Sequence, residues 1–255
     1  MSRRPWFAAL AIVLVAAGFA LAYHPTNDPL PAFAAVAPSS GPAPVTVRYT
    51  FDSITGLAVT DVNGRHALRI LGQNGGAVKL VPQGAGRALA YPTRCRLARE
   101  RDCPRAILEG EPDESLNPGR RQLQYGASIR MVPADLSDGA NVLQKGYSVG
   151  GVSQFKLQVD HRLGHPSCVI TGNGRRIYRA EPQINVADGK WHTLTCIRTA
   201  DKLALQMDGV EQAAVPVPTS LSIANAEPLR VGGKGAGKGN DQFAGEIDNV
   251  FLTIG

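Results

Sequence analysis

The chain has 255 residues, 44% of them hydrophobic, enough for a packed core in one large domain or two small ones. Its 28 glycines and 18 prolines exclude a helical bundle and suit many short strands joined by turns. The formal charge of +6 includes Arg3 and Arg4, so it falls to +4 without them. No basic stripe interleaves with aromatic residues, which argues against nucleic-acid binding and leaves only weak, salt-screened attraction to acidic glycans or an anionic envelope surface.

Met1-Ser2-Arg3-Arg4 is a short cationic start, followed by an apolar run from Trp6 to Ala22. Ala20-Leu21-Ala22 puts small residues at the two positions a signal peptidase pocket accepts, so residues 1–22 are expected to direct export and to be cut after Ala22. The run is near the lower limit for spanning a bilayer, and an uncleaved anchor is the alternative. The expected location is therefore secreted or cell-surface, with membrane contact only through this segment. Residues 23–44 hold six prolines among alanine, serine and glycine, an extended linker composition.

From Val45 the pattern alternates. Val45, Val47, Tyr49 and Phe51 point one way, with Thr46, Arg48 and Thr50 the other. Leu123 to Met131, Phe155 to Val159 and Leu203 to Met207 repeat this two-residue period, each a strand with one buried face. Asp208-Gly209 is a hairpin signal, since both residues tolerate the positive φ of a tight turn. No sustained helical period follows the leader, and no internal repeat is found. Residues 45–255 thus read as one all-β domain, an antiparallel two-sheet sandwich or jelly roll. Residues 92–121, rich in arginine and acid with Pro104, Pro112 and Pro118, read as a long surface loop.

Cys95, Cys103, Cys168 and Cys196 lie beyond the leader and allow three pairings. In an oxidising compartment Cys95–Cys103 would close a short loop and Cys168–Cys196 would staple two strands. Zinc is the alternative; His165 and His192 flank the second pair, but the tight ligand spacing that zinc sites use is missing. Gly232 to Gly239 nearly spells a phosphate-cradling loop, yet Gly239 stands where a magnesium-binding hydroxyl is needed, and no helix opens behind it. Glu246 and Asp248 share one strand face and would supply the two carboxyls of glycoside hydrolysis. Position 251, where a third acid of some β-sandwich glycanases falls, is Phe251. Trp191 reads as a core or sheet-face residue; Tyr147 and Tyr178, in loop-like segments, are candidate sugar platforms.

Several landmarks occur in one order: Tyr49-Thr50-Phe51-Asp52, Asp61-Val62-Asn63-Gly64, Asn141 to Gly146, Asp188-Gly189-Lys190-Trp191-His192, Met207-Asp208-Gly209, Leu229 to Gly233 and Phe243 to Val250. From about Val45 to Leu252 this resembles the laminin G-like, concanavalin A-like domains of exported bacterial proteins. The resemblance implies a two-sheet jelly roll of about a dozen strands with first and last strands adjacent. It also implies a structural calcium ion near Asp52 and Asp248, for which oxygen-only ligands are suited. The fold hosts lectins, adhesion modules, hydrolases and lyases, so it fixes no ligand. The expected function is an exported, non-catalytic binding module for glycan or another extracellular or envelope component. The alternatives are a glycanase or lyase on the same sandwich, or a purely structural module with a surface-protein partner.

Overall fold

The structure is a computed structural model that describes residues 42–52, 54, 56, 58–148, 152–160, 162–174 and 176–255. The leader over 1–22 and most of the linker over 23–44 lie outside these residues. In chain order the strands are β1 (Val45–Tyr49), β2 (Ala58–Thr60), β3 (Ala67–Gln73), β4 (Lys79–Gln83), β5 (Gly86–Ala90), β6 (Arg105–Pro112), β7 (Leu123–Arg130) and β8 (Gly139–Gly146). There follow β9 (Gln154–Asp160), β10 (His165–Thr171), β11 (Ile177–Ala180), β12 (Trp191–Arg198), β13 (Lys202–Met207), β14 (Val210–Pro216), β15 (Pro228–Val231) and β16 (Glu246–Ile254). Helical backbone among the described residues is limited to three single turns.

The strands form two antiparallel sheets. The first runs β14-β13-β12-β7-β16-β5-β4, with β1 also on β16; the second runs β11-β10-β9-β8-β15-β6-β3-β2. The first and last strands are neighbours, in register from Val45 opposite Ile254 to Tyr49 opposite Val250. The sandwich expected from the alternation is the architecture found, with sixteen strands among the described residues where the resemblance implies about a dozen.

One core lies between the sheets. Phe155, Leu157 and Val159 of β9 face Tyr125 and Ala127 of β7 and Leu194 and Cys196 of β12, all buried in one cluster. The Tyr125 ring packs 5.0 Å from that of Phe155, and its hydroxyl donates to the Lys156 carbonyl of the opposite sheet at 3.2 Å. Cys168 of β10 is bonded to Cys196 of β12, so the second disulfide joins the two sheets through the core. Cys95–Cys103 closes a loop before β6.

Residues 92–121 are not one long loop, as their composition suggests: their middle is β6, a central strand of the second sheet. Ala106, Ile107 and Leu108 are fully buried because both faces of β6 are covered, so the strand shows no two-residue alternation. Strand β1 also ends sooner than its pattern; Phe51 is buried but adopts φ 58°, which turns the chain out of the strand.

Two landmarks are clamps. His192 Nδ1 meets Asp208 Oδ2 at 2.8 Å and its Nε2 meets Asp188 Oδ1 at 3.2 Å. Asp208 Oδ1 also accepts from the Thr193 amide, while Asp208 (φ 53°) and Gly209 (φ 82°) make the β13–β14 hairpin. His192 thereby ties the turn before β12 to that hairpin. Lys145, at the end of β8, is fully buried with Nζ donating to Asn117 Oδ1 and to both oxygens of Asn225; burial pulls its ammonium down to about 8.

Burial acts to lower the His192 pKa, but hydrogen bonds to Asp208 and Asp188 outweigh it and raise the group above its ordinary value. A raised folded pKa stabilises fully below the unfolded value near ~6.5 and is lost as pH climbs through the folded value. The stability gap between wild type and His192→Gln in urea melts should therefore be widest in mild acid and shrink in mild alkali. A gap that is constant with pH would show that the imidazolium plays no part.

Candidate functional site

In β9, Phe155, Leu157 and Val159 face the core, so Gln154, Lys156, Gln158 and Asp160 must face outward. The strand register extends that outward set into a polar row. Glu109 of β6 lies opposite Arg230 of β15, which lies opposite Gln144 of β8; Gln144 faces Lys156, Lys156 faces Val169 of β10, and Val169 faces Arg179 of β11. An outer sheet face normally lies in water, yet Gln144 is only 1% exposed and Gln158 only 4%.

Part of the cover comes from the segments after β8 and β15. The Tyr147 hydroxyl donates to the Lys234 carbonyl at 2.8 Å, and the Lys234 ammonium pairs with Asp241 at 2.9 Å. The Arg230 guanidinium lies 5.3 Å from the Tyr147 ring centre and donates to Glu109 at 2.5 Å and Glu227 at 3.1 Å. Asp160 accepts from Ser167, Gln158 and Arg179. Burial pulls the Lys156 ammonium below its ordinary range against the attraction of Asp160 and Asp241.

Within this network two acceptors are left over. Asn141 donates to Gln144 Oε1 at 2.6 Å, and Gln144 and Gln154 both donate to the Gly146 carbonyl. These bonds occupy the amide nitrogens. Asn141 Oδ1 and Gln154 Oε1 remain buried without a partner. A buried unpaired acceptor costs roughly 1–3 kcal/mol, so each of these oxygens has capacity for one more donor.

At the end of this face, Asn141 donates its backbone N–H to the Asp241 carbonyl at 2.9 Å. Beside it opens a polar cleft of about 310 Å³, between the Cys95–Cys103 loop, the β7–β8 connection and the glycine-rich segment. That volume is at the lower end of ordinary ligand pockets.

The sequence-derived candidates lie elsewhere. Asp52 and Asp248 both lie just beyond the Tyr49–Val250 end of the β1–β16 pairing. Asp52 Oδ1 accepts from the Arg87 amide at 3.0 Å, and Gly86 leaves room for it, since a Cβ there would stand 2.2 Å from that oxygen. Asp248 accepts from the Asn249 amide and side chain at 2.6 and 2.8 Å. Burial raises the Asp248 carboxyl above its ordinary range; the Asn249 amide opposes this, and the charge of Asp52 adds to the rise. Two carboxylates whose repulsion is felt at a buried group fit a hard divalent cation in charge and donor type. Among the described residues no group of three or more acidic, histidine or cysteine side chains is placed to hold a metal ion, so further ligands would be carbonyls or water.

Glu246 is not free to act on a substrate. Arg130 Nε donates to Glu246 Oε2 at 2.9 Å and its other nitrogen to Oε1, and the same guanidinium lies 5.9 Å from the Trp191 ring centre. Trp191, Arg130 and Glu246 thus form one cross-strand row on the first sheet. Tyr178 lies beneath Arg176 at 5.1 Å and packs against the core. Of the two tyrosine candidates, only Tyr147 reaches the polar face. The alternation missed Asn141, Gln144, Gln154 and Gln158, although their amide-rich outward spacing was a readable signal.

The profile of the concanavalin A-like lectin/glucanase superfamily, in its laminin G-like form, matches residues 124–252. The chain belongs to that superfamily. No curated protein matches it in sequence. Among solved structures it is similar to the binding domain of Paraclostridial Mosquitocidal Protein 1, with TM-score 0.57, 12% identity, and coverage of 81% of this chain and 48% of that one. Domain 4 of AbnA, a GH43 extracellular arabinanase from Geobacillus stearothermophilus, in complex with arabinotriose, gives TM-score 0.57 and 14% identity over 82% and 91%. The binding domain of Botulinum Neurotoxin DC in complex with SialylT gives 0.51 and 10% over 76% and 44%. The chain spans about half the length of the two toxin domains. At these identities the likeness is one of fold.

Gln154→Met removes one unpaired oxygen and one hydrogen bond while keeping the volume. The two effects oppose each other, so its unfolding free energy should stay within about 1 kcal/mol of wild type. A loss of several kcal/mol in denaturant titration would show that Gln154 is fully satisfied and serves the fold.

Proposed function

We propose that the chain is an exported, non-catalytic module that binds glycan on the outer face of its second sheet. The observation that carries this reading is the pair of buried, unpartnered amide oxygens, Asn141 Oδ1 and Gln154 Oε1, among Gln144, Lys156 and Gln158. Sugars present dense hydroxyl donors, and a polar sheet with fixed amides and a rim tyrosine suits them without covalent chemistry. The superfamily match and two neighbours solved with bound saccharide support the same reading. Glu246 held by Arg130 argues against the glycanase alternative, because both of its oxygens are taken by the guanidinium and not by a substrate.

On this reading calcium has a structural role. Asp52 and Asp248 would hold it, and its charge would neutralise their repulsion at the β1–β16 junction. Adding millimolar calcium after chelation should raise the melting temperature of wild type by a few degrees, and Asp248→Asn should abolish the rise. Identical melts with calcium and with chelator would remove the ion from the account.

Binding is tested by a glycan array with the intact protein, followed by titration of each hit against Gln154→Met and Lys156→Met. Each variant should keep its fold by circular dichroism and lose roughly tenfold or more in affinity, the effect of removing one buried polar contact. An empty array together with a protein partner in crosslinking would favour the structural-module alternative.

A further inference from the structure

Tyr49 ends β1 with its side chain turned into the core and is only 1% exposed, yet its hydroxyl has no hydrogen-bond partner among the described residues. Burial, with repulsion from Asp61 and Asp113, raises the phenol well above its ordinary pKa. It therefore stays protonated and offers a donor as well as an acceptor. A buried polar group in this condition is uncommon and calls for a partner.

Tyr49 lines a cleft of about 260 Å³ between the turn before β3 and the turn after β6. Leu68 of β3, Leu229 of β15 and Leu116 of the turn after β6 give it apolar walls, and all three belong to the core. Its polar end is the pair of His66 and Asp113, with Nδ1 and Oδ2 3.0 Å apart. That pair is fixed from both sides: the His66 amide donates to Asp61 Oδ1 at 2.8 Å, and the Ser115 amide to Asp113 Oδ1 at 2.8 Å. Such preorganisation lowers the entropic cost of binding. The charge of Asp113 is felt at the Tyr49 oxygen, so the hydroxyl lies towards the same end as the pair.

The lining also fixes the charge of an occupant. Arg65 and His66 border the cleft together with Glu111 and Asp113, two basic groups against two acidic ones, which favours neither an anion nor a cation. One water could meet the hydroxyl, but the cleft is several times the ~30 Å³ of a liquid water, and its leucines give further waters few partners. The volume lies just below the range of ordinary ligand pockets, so the occupant is small.

We propose that this cleft is a second binding site, which takes a small uncharged molecule with an apolar body and a hydroxyl group, the hydroxyl pairing with Tyr49. The apolar body would lie against Leu68, Leu116 and Leu229. Leu229 lines the cleft while its neighbour Arg230 belongs to the polar row, so the two sites lie on opposite sides of the second sheet. The proposal therefore stands apart from the glycan reading.

The test titrates the intact protein and Tyr49→Phe with phenol and with toluene, which carries a methyl where phenol carries its hydroxyl. Amide resonances report binding, and the shifts should centre on Leu68, Gly110 and Leu116, which line the cleft. Tyr49→Phe should move the ratio of phenol to toluene affinity about tenfold toward toluene, the effect of one buried hydrogen bond. Its fold should survive, because the hydroxyl removed has no partner among the described residues. An unchanged ratio overturns the proposal. So do phenol shifts confined to other residues, or a crystal soaked in phenol that shows water alone on the Tyr49 oxygen. If Tyr49→Phe does not fold, wild type decides: phenol must displace toluene at the same resonances, and toluene binding alone overturns the proposal.

Discussion

The packing of Phe155, Leu157 and Val159 against Tyr125 and Cys196 decides what the rest of the molecule can do. Because side chains alternate along a strand, burying that set turns Gln154, Lys156, Gln158 and Asp160 to the opposite face. The Tyr125 hydroxyl and the Cys168–Cys196 bond fix the two sheets across the core, so the outward row cannot slip without breaking the inward one. The polar face is a consequence of the core.

That face resembles a protein interior in burial but not in composition. Apolar residues there would be more stable, since unpaired Asn141 and Gln154 oxygens are a net loss to folding. On the proposed reading these oxygens are kept for ligand hydroxyls, with Tyr147 at the rim of the same face. The glycine-rich segment that resembles a phosphate loop in sequence serves here as cover, with the Tyr147 hydroxyl donating to the Lys234 carbonyl.

The motifs that identify the family are mostly not the ones that would meet a ligand. The histidine of Asp188-Gly189-Lys190-Trp191-His192 locks a turn to a hairpin, and its tryptophan packs by Arg130 beside Glu246. Asp61 accepts from the amides of Arg65 and His66 and shapes the turn before β3. Such residues hold the scaffold, and the proposed ligand face consists of outward positions, where a change of side chain need not disturb the core.

Period-two alternation was sufficient to determine the sandwich, and the positive-φ tolerance of Asp208-Gly209 its hairpin, because both follow from local geometry and burial. Strand β6 was hidden, since a strand covered on both faces loses its alternation and its arginine-rich flank resembles a loop. The clamp of Arg130 on Glu246 depends on strand register between segments far apart in the chain, and the meeting of Gln154 with the Gly146 carbonyl on the register of β8 and β9. Register is set by the whole core at once, so only the tertiary structure decided which polar residues were spent on one another and which were left facing outward.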